Sequence, residues 1–277
     1  MSNYLKLVNF EFNRFLKIYL VLIGITIVSQ MVGVIVTSKK YLNQANDMMR
    51  EEGMSLASYL DMFGEMSFSE VGRSVWFIAP IAISIVTLLI YVFFIWYRDW
   101  FAKNTFIYRL LTLPTTRLNL YLSKATVIFI MVLGLVALQV VLIPIEVTIM
   151  EWMVPRDLRL DLTFMEALDH LVVLGIIVPR TLSEFIMDYS IGFMAVFVLF
   201  TIILFERSWK WKGIIAGVLY GALAFVIAIF PLILQYAILN EYFYRIEMYF
   251  IQLAVVLIIS IASIWMGHFL LKNKVTV

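Results

Sequence analysis

Apolar residues occur along the chain in long, nearly charge-free blocks separated by polar stretches. Six blocks stand out, at 18–37, 75–97, 125–148, 185–205, 213–234 and 248–271. A helix rises about 1.5 Å per residue and the hydrocarbon core of a bilayer is about 30 Å thick, so about 20 apolar residues suffice to cross it. The pattern predicts an all-α integral membrane protein: one transmembrane domain over 1–277, six transmembrane helices and both termini on one side. The blocks at 185–205 and 213–234 are separated only by residues 206–212. A shorter apolar run, 171–179, is closed by Pro179 and Arg180 and follows Asp169 and His170 directly. It reads as an interfacial or re-entrant helix, with a broken seventh span as the alternative.

Before the first block, Leu5, Val8, Phe12, Phe15, Leu16 and Tyr19 recur at helical spacing, with Lys6, Asn9, Asn13, Arg14 and Lys17 between them. That spacing predicts an amphipathic helix over 1–17 in the membrane interface, running into the first span. It reads either as an anchor or as a lever for movement passed on from a partner. A cleavable signal is not expected, since the first apolar run begins at Ile18, exceeds a signal's core in length and lacks a small-x-small site after it.

Composition sharpens the picture. The 277 residues are 63% hydrophobic and 14% charged, with mean hydropathy +0.97. Soluble domains are about 45–50% apolar and about 25% charged, so a soluble fold is excluded, and the wealth of aromatic and branched residues excludes disorder. There is no cysteine, hence no disulfide and no thiolate site. Charge placement gives orientation. Lys6, Arg14, Lys17, Arg98, Lys103, Arg109, Arg117, Lys124, Arg207, Lys210, Lys212, Lys272 and Lys274 fall on the side of the termini, against only Glu11, Asp99 and Glu206. The opposite side holds the other 8 basic and 16 acidic residues. Lys and Arg accumulate in cytoplasmic loops, so a multi-pass protein of the cell (plasma) membrane with cytoplasmic termini is expected.

Reactive constellations are scarce. The two histidines, His170 and His268, are isolated, no His-Glu-x-x-His pair exists, and no Gly-x-x-x-x-Gly-Lys-Ser/Thr loop is present to cradle a nucleotide. Glu51 and Glu52 read as a solvated face. Ser123 and Lys124 are adjacent, and neighbours on a helix do not face one another, so a serine–lysine dyad is not expected. Polar groups within the blocks are few: Gln30, Gln139, Glu146, Asp188 and Gln235. Glu146 lies about 32 Å from the inner end of its span and Asp188 in the outer turn of its own, so both read as interfacial helix ends. An ion-coupled carrier usually needs an ionisable group nearer the bilayer middle. No catalytic residue, metal or cofactor is expected of this chain, nor a nucleic-acid partner.

The segment 98–124 is longer and more apolar than a connector requires. It reads as an amphipathic helix over 100–111, a stop at Leu113-Pro114, and a new helix start that feeds the third span through Lys124. Phe101, Phe106, Ile107, Leu110 and Leu111 give it an apolar face and Arg98, Lys103, Arg109 and Arg117 hold it at the surface. Such a face suits a docking protein, or a flat position on anionic lipid. Here the chain resembles the permease subunits of the type-2 ABC exporter class. That class has an acid after the second span, then a Thr, a Leu-Leu-x-Leu-Pro turn, an Arg, and a Lys opening the third span. The counterparts are Asp99, Thr105, Leu110-Leu111-Thr112-Leu113-Pro114, Arg117 and Lys124. Asn104 stands where the family commonly has Gly.

The resemblance implies that the region 99–113 is a coupling helix seated on a separate ATP-binding subunit. Asp99, Phe101, Thr105, Phe106, Leu110, Leu111, Pro114 and Arg117 would be the contacts, and ATP and Mg would bind in the partner. Glu206–Lys212 resembles a shorter second contact through Trp209 and Trp211, although Trp also favours membrane interfaces on its own. Gly213, Gly217, Gly221 and Ala224 form a small-residue stripe that lets helices approach closely, either within the chain or against a second permease copy, in a homodimer or heterodimer. The function implied is ATP-driven export of a hydrophobic or amphipathic substrate, such as a peptide, peptide antibiotic or lipid. A secondary transporter or channel, and an intramembrane enzyme, are the competing classes. The acidic outer segments, 38–74 and 149–184, are expected to form a gate or cap over the exit.

Overall fold

A computed structural model of the chain describes residues 3–101, 110, 115–163, 165, 166, 168, 171, 175, 177–238 and 242–274. Its elements are α1 (Asn3–Glu51), α2 (Leu56–Phe63), α3 (Phe68–Arg73), α4 (Val75–Phe101), α5 (Arg117–Met153), a 3-10 turn (Arg156–Leu158), α6 (Leu182–Ile233) with a π-helical extension (Leu234–Ile238), and α7 (Arg245–Asn273). Among the described residues there is no strand, only a parallel bridge between Met66 and Arg159. α1, α4, α5, α6 with its extension, and α7 are each long and apolar enough to cross a membrane. The protein is all-α, with the character of a multi-pass membrane protein. Of the run 171–179, residues 172–174 and 176 lie outside the described residues, as do Thr105, Phe106, Leu111 and Pro114.

α1 extends beyond the apolar block 18–37 at both ends. No break separates an entry helix over 1–17 from the first span: 49 residues form one helix. Leu7, Glu11, Phe15, Tyr19 and Leu22 all lie buried along one stripe, at the spacing of a single continuous face. Beyond Thr37 the helix continues to Glu51, about 20 Å further.

The chain divides into two compact units. One comprises Phe15–Thr87 and Met131–Pro179. Its core joins Tyr41, Tyr59, Met66, Phe68, Val71 and Phe77 to Met150, Val154 and Leu158, so the segment expected as an outer loop is a packed structure. Short helices there start on side-chain caps: Ser55 Oγ accepts from Ser58 N at 3.2 Å and Ser67 Oγ from Ser69 N at 3.3 Å. Arg159 closes the end of α5, donating Nη1 to the carbonyls of Glu151 and Val154 and Nε to Asp161 at 2.6 Å. Deeper along α1, the Gln30 amide donates to Gln139 Oε1 at 3.1 Å, and Gly33 lets Trp76 approach so closely that a Cβ would lie 2.7 Å from its Cβ.

The other unit comprises Met1–Arg14, Leu88–Ile130 and Arg180–Val277. Trp96, Tyr121, Phe197 and Phe200 form its aromatic centre: Trp96 and Tyr121 each meet Phe200 edge-on at 5.5 Å, and Tyr121 stacks on Phe197 at 6.0 Å. Gly267 makes room for Tyr121. α6 begins on a cap in which Thr181 Oγ1 accepts from Glu184 N at 3.2 Å and Glu184 returns to Arg180 N at 2.8 Å. A straight helix of its 52 residues would be about 78 Å long. Instead it breaks at Trp209 (φ −132°, ψ 17°) and Lys210 (φ 49°, ψ −124°) and folds back on itself. Gly213 lies against the Phe205 carbonyl, and a Cβ on Gly217 or Gly221 would lie 3.1 or 2.7 Å from the Ile202 side chain.

Candidate functional site

A group of five charged side chains forms the densest polar site among the described residues, and it lies at the base of the 98–124 segment. Glu11, Asp99 and Lys124 are fully buried, and Arg14 and Arg98 flank them at 21% and 16% exposure. Each arrives by helical phase. Glu11 falls on the buried stripe of α1 between Leu7 and Phe15. Asp99 follows Tyr91, Val92, Ile95 and Trp96 on the buried face of α4, and Lys124 follows Leu120 and Tyr121 on that of α5.

Lys124 Nζ donates to Asp99 Oδ2 at 2.5 Å, Glu11 Oε1 at 2.7 Å and the Ile95 carbonyl at 3.0 Å. An ammonium has three donors and no acceptor, so all three are used. Glu11 Oε2 accepts from Arg98 at 2.8 Å and Arg14 lies 3.5 Å away; Asp99 Oδ1 accepts from Arg14 at 2.7 Å. The Trp96 ring lies 5.3 Å from Lys124 Nζ, adding a cation–π contact. Two carboxylates meet three cations, and every carboxylate oxygen is engaged. Burial of charge is tolerated only with such pairing. Lys124 has no spare donor and neither carboxylate has a free oxygen, while Arg98 Nε is buried without a hydrogen-bond partner among the described residues. Among the described residues no set of His, Asp and Glu could hold a metal. Its chemical capacity is mechanical: it ties the start of α1, the end of α4 and the start of α5 into one knot.

Around the knot, further contacts fix the same end of this unit. Arg117 donates to the Leu271 carbonyl and, at 3.4 Å, to that of Lys272, placing a guanidinium on the C-terminal turn of α7. Tyr97 donates to Glu206, and Arg207 lies over the rings of Tyr97 and Phe101, 4.8 Å from each centroid. Lys274 lies 5.8 Å from the Trp209 ring. The break in α6 is therefore fastened to the end of α4.

This changes what several residues can do. Asp99, expected to touch a partner, is 0% exposed with its carboxylate committed inside the chain, and Leu110 is likewise buried at 7%. Neither is offered at the surface. Arg117 is engaged by α7. Phe101, Trp209 and Trp211 are exposed, at 74%, 39% and 80%. The glycine stripe packs within the chain through Gly213, Gly217 and Gly221, and Ala224 is buried. A serine–lysine dyad has no basis, since Lys124 is saturated and Ser123 Oγ donates to the Leu120 carbonyl at 3.0 Å.

Sequence reasoning missed Glu11 and Lys124 as site residues and counted both among the surface charges. Their signal was phase: each falls on the apolar face of its helix, with opposite signs. Glu146, read as an interfacial helix end, also differs. α5 continues to Met153, about 10 Å further. The Glu146 side chain is fully buried, and neither carboxylate oxygen has a hydrogen-bond partner among the described residues. Asp188 is exposed in the second turn of α6.

Searches for similar proteins find no family model, no curated protein and no solved structure that matches this chain.

Proposed function

We propose that this chain is the permease subunit of an ATP-driven exporter of the type-2 ABC class, moving a hydrophobic or amphipathic substrate out of the cytoplasm or the inner leaflet. Counting the two arms of α6 separately gives six crossings, with both termini cytoplasmic. The observation that carries this reading is the Asp99–Lys124 pair at 2.5 Å, tied to Glu11. These residues bracket the intervening segment, and two of them are the acid and the lysine on which the family resemblance rests. A segment that transmits movement must be anchored to the spans at both ends, and a buried ion knot provides stiff anchorage. An ATP-binding partner docked on the exposed side would push on Phe101, Thr105, Phe106 and Trp211, and the knot would pass the displacement to α1, α4 and α5 together. Two permease copies and two ATP-binding subunits would complete the transporter. Nucleotide and Mg would be bound by the partner.

Photo-crosslinking tests the docking face. A crosslinker at Phe101 or Trp211 is expected to capture a nucleotide-binding protein in native membranes, and one at Trp152, 83% exposed in the other unit, is not. Equal capture from all three positions, or none from Phe101 and Trp211, would remove the docking assignment.

Glu146 favours a second reading, an ion-coupled carrier. A buried ionisable group without a partner inside a membrane helix is expensive and usually functional. In that case Glu146→Gln abolishes transport while leaving partner binding intact; as an exporter, transport persists.

A further inference from the structure

Two open cavities flank α1 where its first apolar block ends. One, of about 330 Å³, is lined by Thr37, Lys40, Tyr41, Glu70, Arg73 and Ser74. The other, of about 580 Å³, shares Lys40 and Gln44 and adds Val36, Lys39, Asn43 and Asp47. Lys39, Lys40 and Arg73 are exposed, and none has a hydrogen bond or ion pair within 4 Å to another described residue. We propose that this groove, between the distal part of α1 and the turn from α3 into α4, holds the phosphodiester headgroup of a membrane phospholipid through Lys40 and Arg73.

Depth is the first argument. Thr37 ends one apolar block and Val75 begins the next. Lys39, Lys40 and Arg73 therefore lie within about 5 Å along their chains of the two hydrocarbon boundaries, where headgroup phosphates lie. The second argument is the adjoining surface. Ile35, Val36, Val75 and Trp76 are exposed by 39%, 44%, 77% and 49%, so an anion held by Lys40 and Arg73 would have its acyl chains alongside apolar side chains. A soluble phosphate would leave those side chains unused. The third argument is balance of charge. Across the two cavities three cations, Lys39, Lys40 and Arg73, meet two carboxyls, Asp47 and Glu70, and burial pushes the Glu70 carboxyl up against the pull of Arg73. Glu70 accepts a hydrogen bond from a headgroup ammonium or hydroxyl, and the one positive charge left over matches a single phosphodiester. Cations are expected to be scarce at this end of the spans, which makes three with no hydrogen bond or ion pair within 4 Å to another described residue notable. The inference requires only that the chain spans a membrane and is independent of the exporter reading.

Native mass spectrometry of the full chain released from nanodiscs of phosphatidylglycerol and phosphatidylethanolamine tests it. The wild type is expected to retain a phospholipid. Lys40→Gln and Arg73→Gln each weaken that retention about fivefold, the effect of one basic residue near a lipid surface. Lys40→Arg and Arg73→Lys preserve it, and Lys272→Gln, at the other end of the sequence, leaves it unchanged. Circular dichroism checks folding, and if the double Gln variant loses helicity the single variants give the answer. Retention that ignores both Gln substitutions overturns the proposal, as does absence of retained lipid in the wild type. Displacement of the lipid by millimolar inorganic phosphate overturns the lipid assignment in favour of a soluble anion.

Discussion

At the residue scale the molecule depends on whether its buried charges have partners. Lys124 meets two carboxylates and a carbonyl, all within 3.0 Å. Removing one partner of a buried ion pair leaves an uncompensated charge and costs about 3–5 kcal/mol. Lys124→Met is therefore expected to lower the thermal midpoint of the purified protein strongly, and Glu11→Gln to do so as well. Replacing Glu11, Asp99 and Lys124 together by apolar residues of similar volume should recover much of that loss, since the desolvation cost disappears with the pairing. A Lys124→Met protein as stable as the wild type would show that the knot does not hold the helices. These charges are where the sequence was hardest to read. Asp99 and Lys124 carry a legible motif, but their side chains count as loop charges until the phase of α4 and α5 is fixed. Glu11 sits in a stretch whose polar residues were all assigned to the interface. Placing it on the buried stripe requires knowing that α1 runs unbroken from Asn3, which hydropathy alone does not specify.

At the element scale the break in α6 sets the packing of its two arms. Lys210 holds φ 49° with ψ −124°, a conformation that side-chain-bearing residues rarely adopt. It persists because Tyr97, Glu206 and Arg207 fasten the preceding turn to α4 and because the glycines let the arms close. Gly213→Ala would place a methyl group on the Phe205 carbonyl, so the arms must part; a loss of about 1–3 kcal/mol is expected, the usual cost of overpacking. Gly192→Ala, with nothing within 4 Å of the added carbon, should be neutral or slightly stabilising, because Ala outranks Gly within a helix. Unfolding of the two variants in the same detergent checks both, and equal midpoints would contradict the close approach of the arms. The glycine spacing and the short 206–212 separation were legible in the sequence as a tight turn. A helical stretch over 42–52 was legible too, but its continuity with the first span was not, because the helix there is stabilised by contacts with α2, α3 and the end of α5, and polar residues such as Asn43 and Gln44 face outward.

At the scale of the whole molecule, apolarity and helix length establish the membrane character, and the knot at the base of 98–124 supplies the mechanical argument for an external drive. The chain brings five charges together and engages both carboxylates and all three Lys124 donors internally. If the chain is the permease proposed above, the energy for transport enters from a partner, across the surface that carries Phe101 and Trp211. The most direct measurement is affinity purification of the full chain from its native membrane under gentle extraction, comparing wild type with a Phe101→Asp/Phe106→Asp variant. Phe101 suits this purpose because it is exposed, whereas Leu110 is buried and its replacement would confound folding with binding. The account predicts that an ATP-binding protein co-purifies with the wild type and is lost from a variant that remains helical and monodisperse. If no ATP-binding protein accompanies the wild type, the exporter reading is contradicted and a self-sufficient carrier built around Glu146 takes its place.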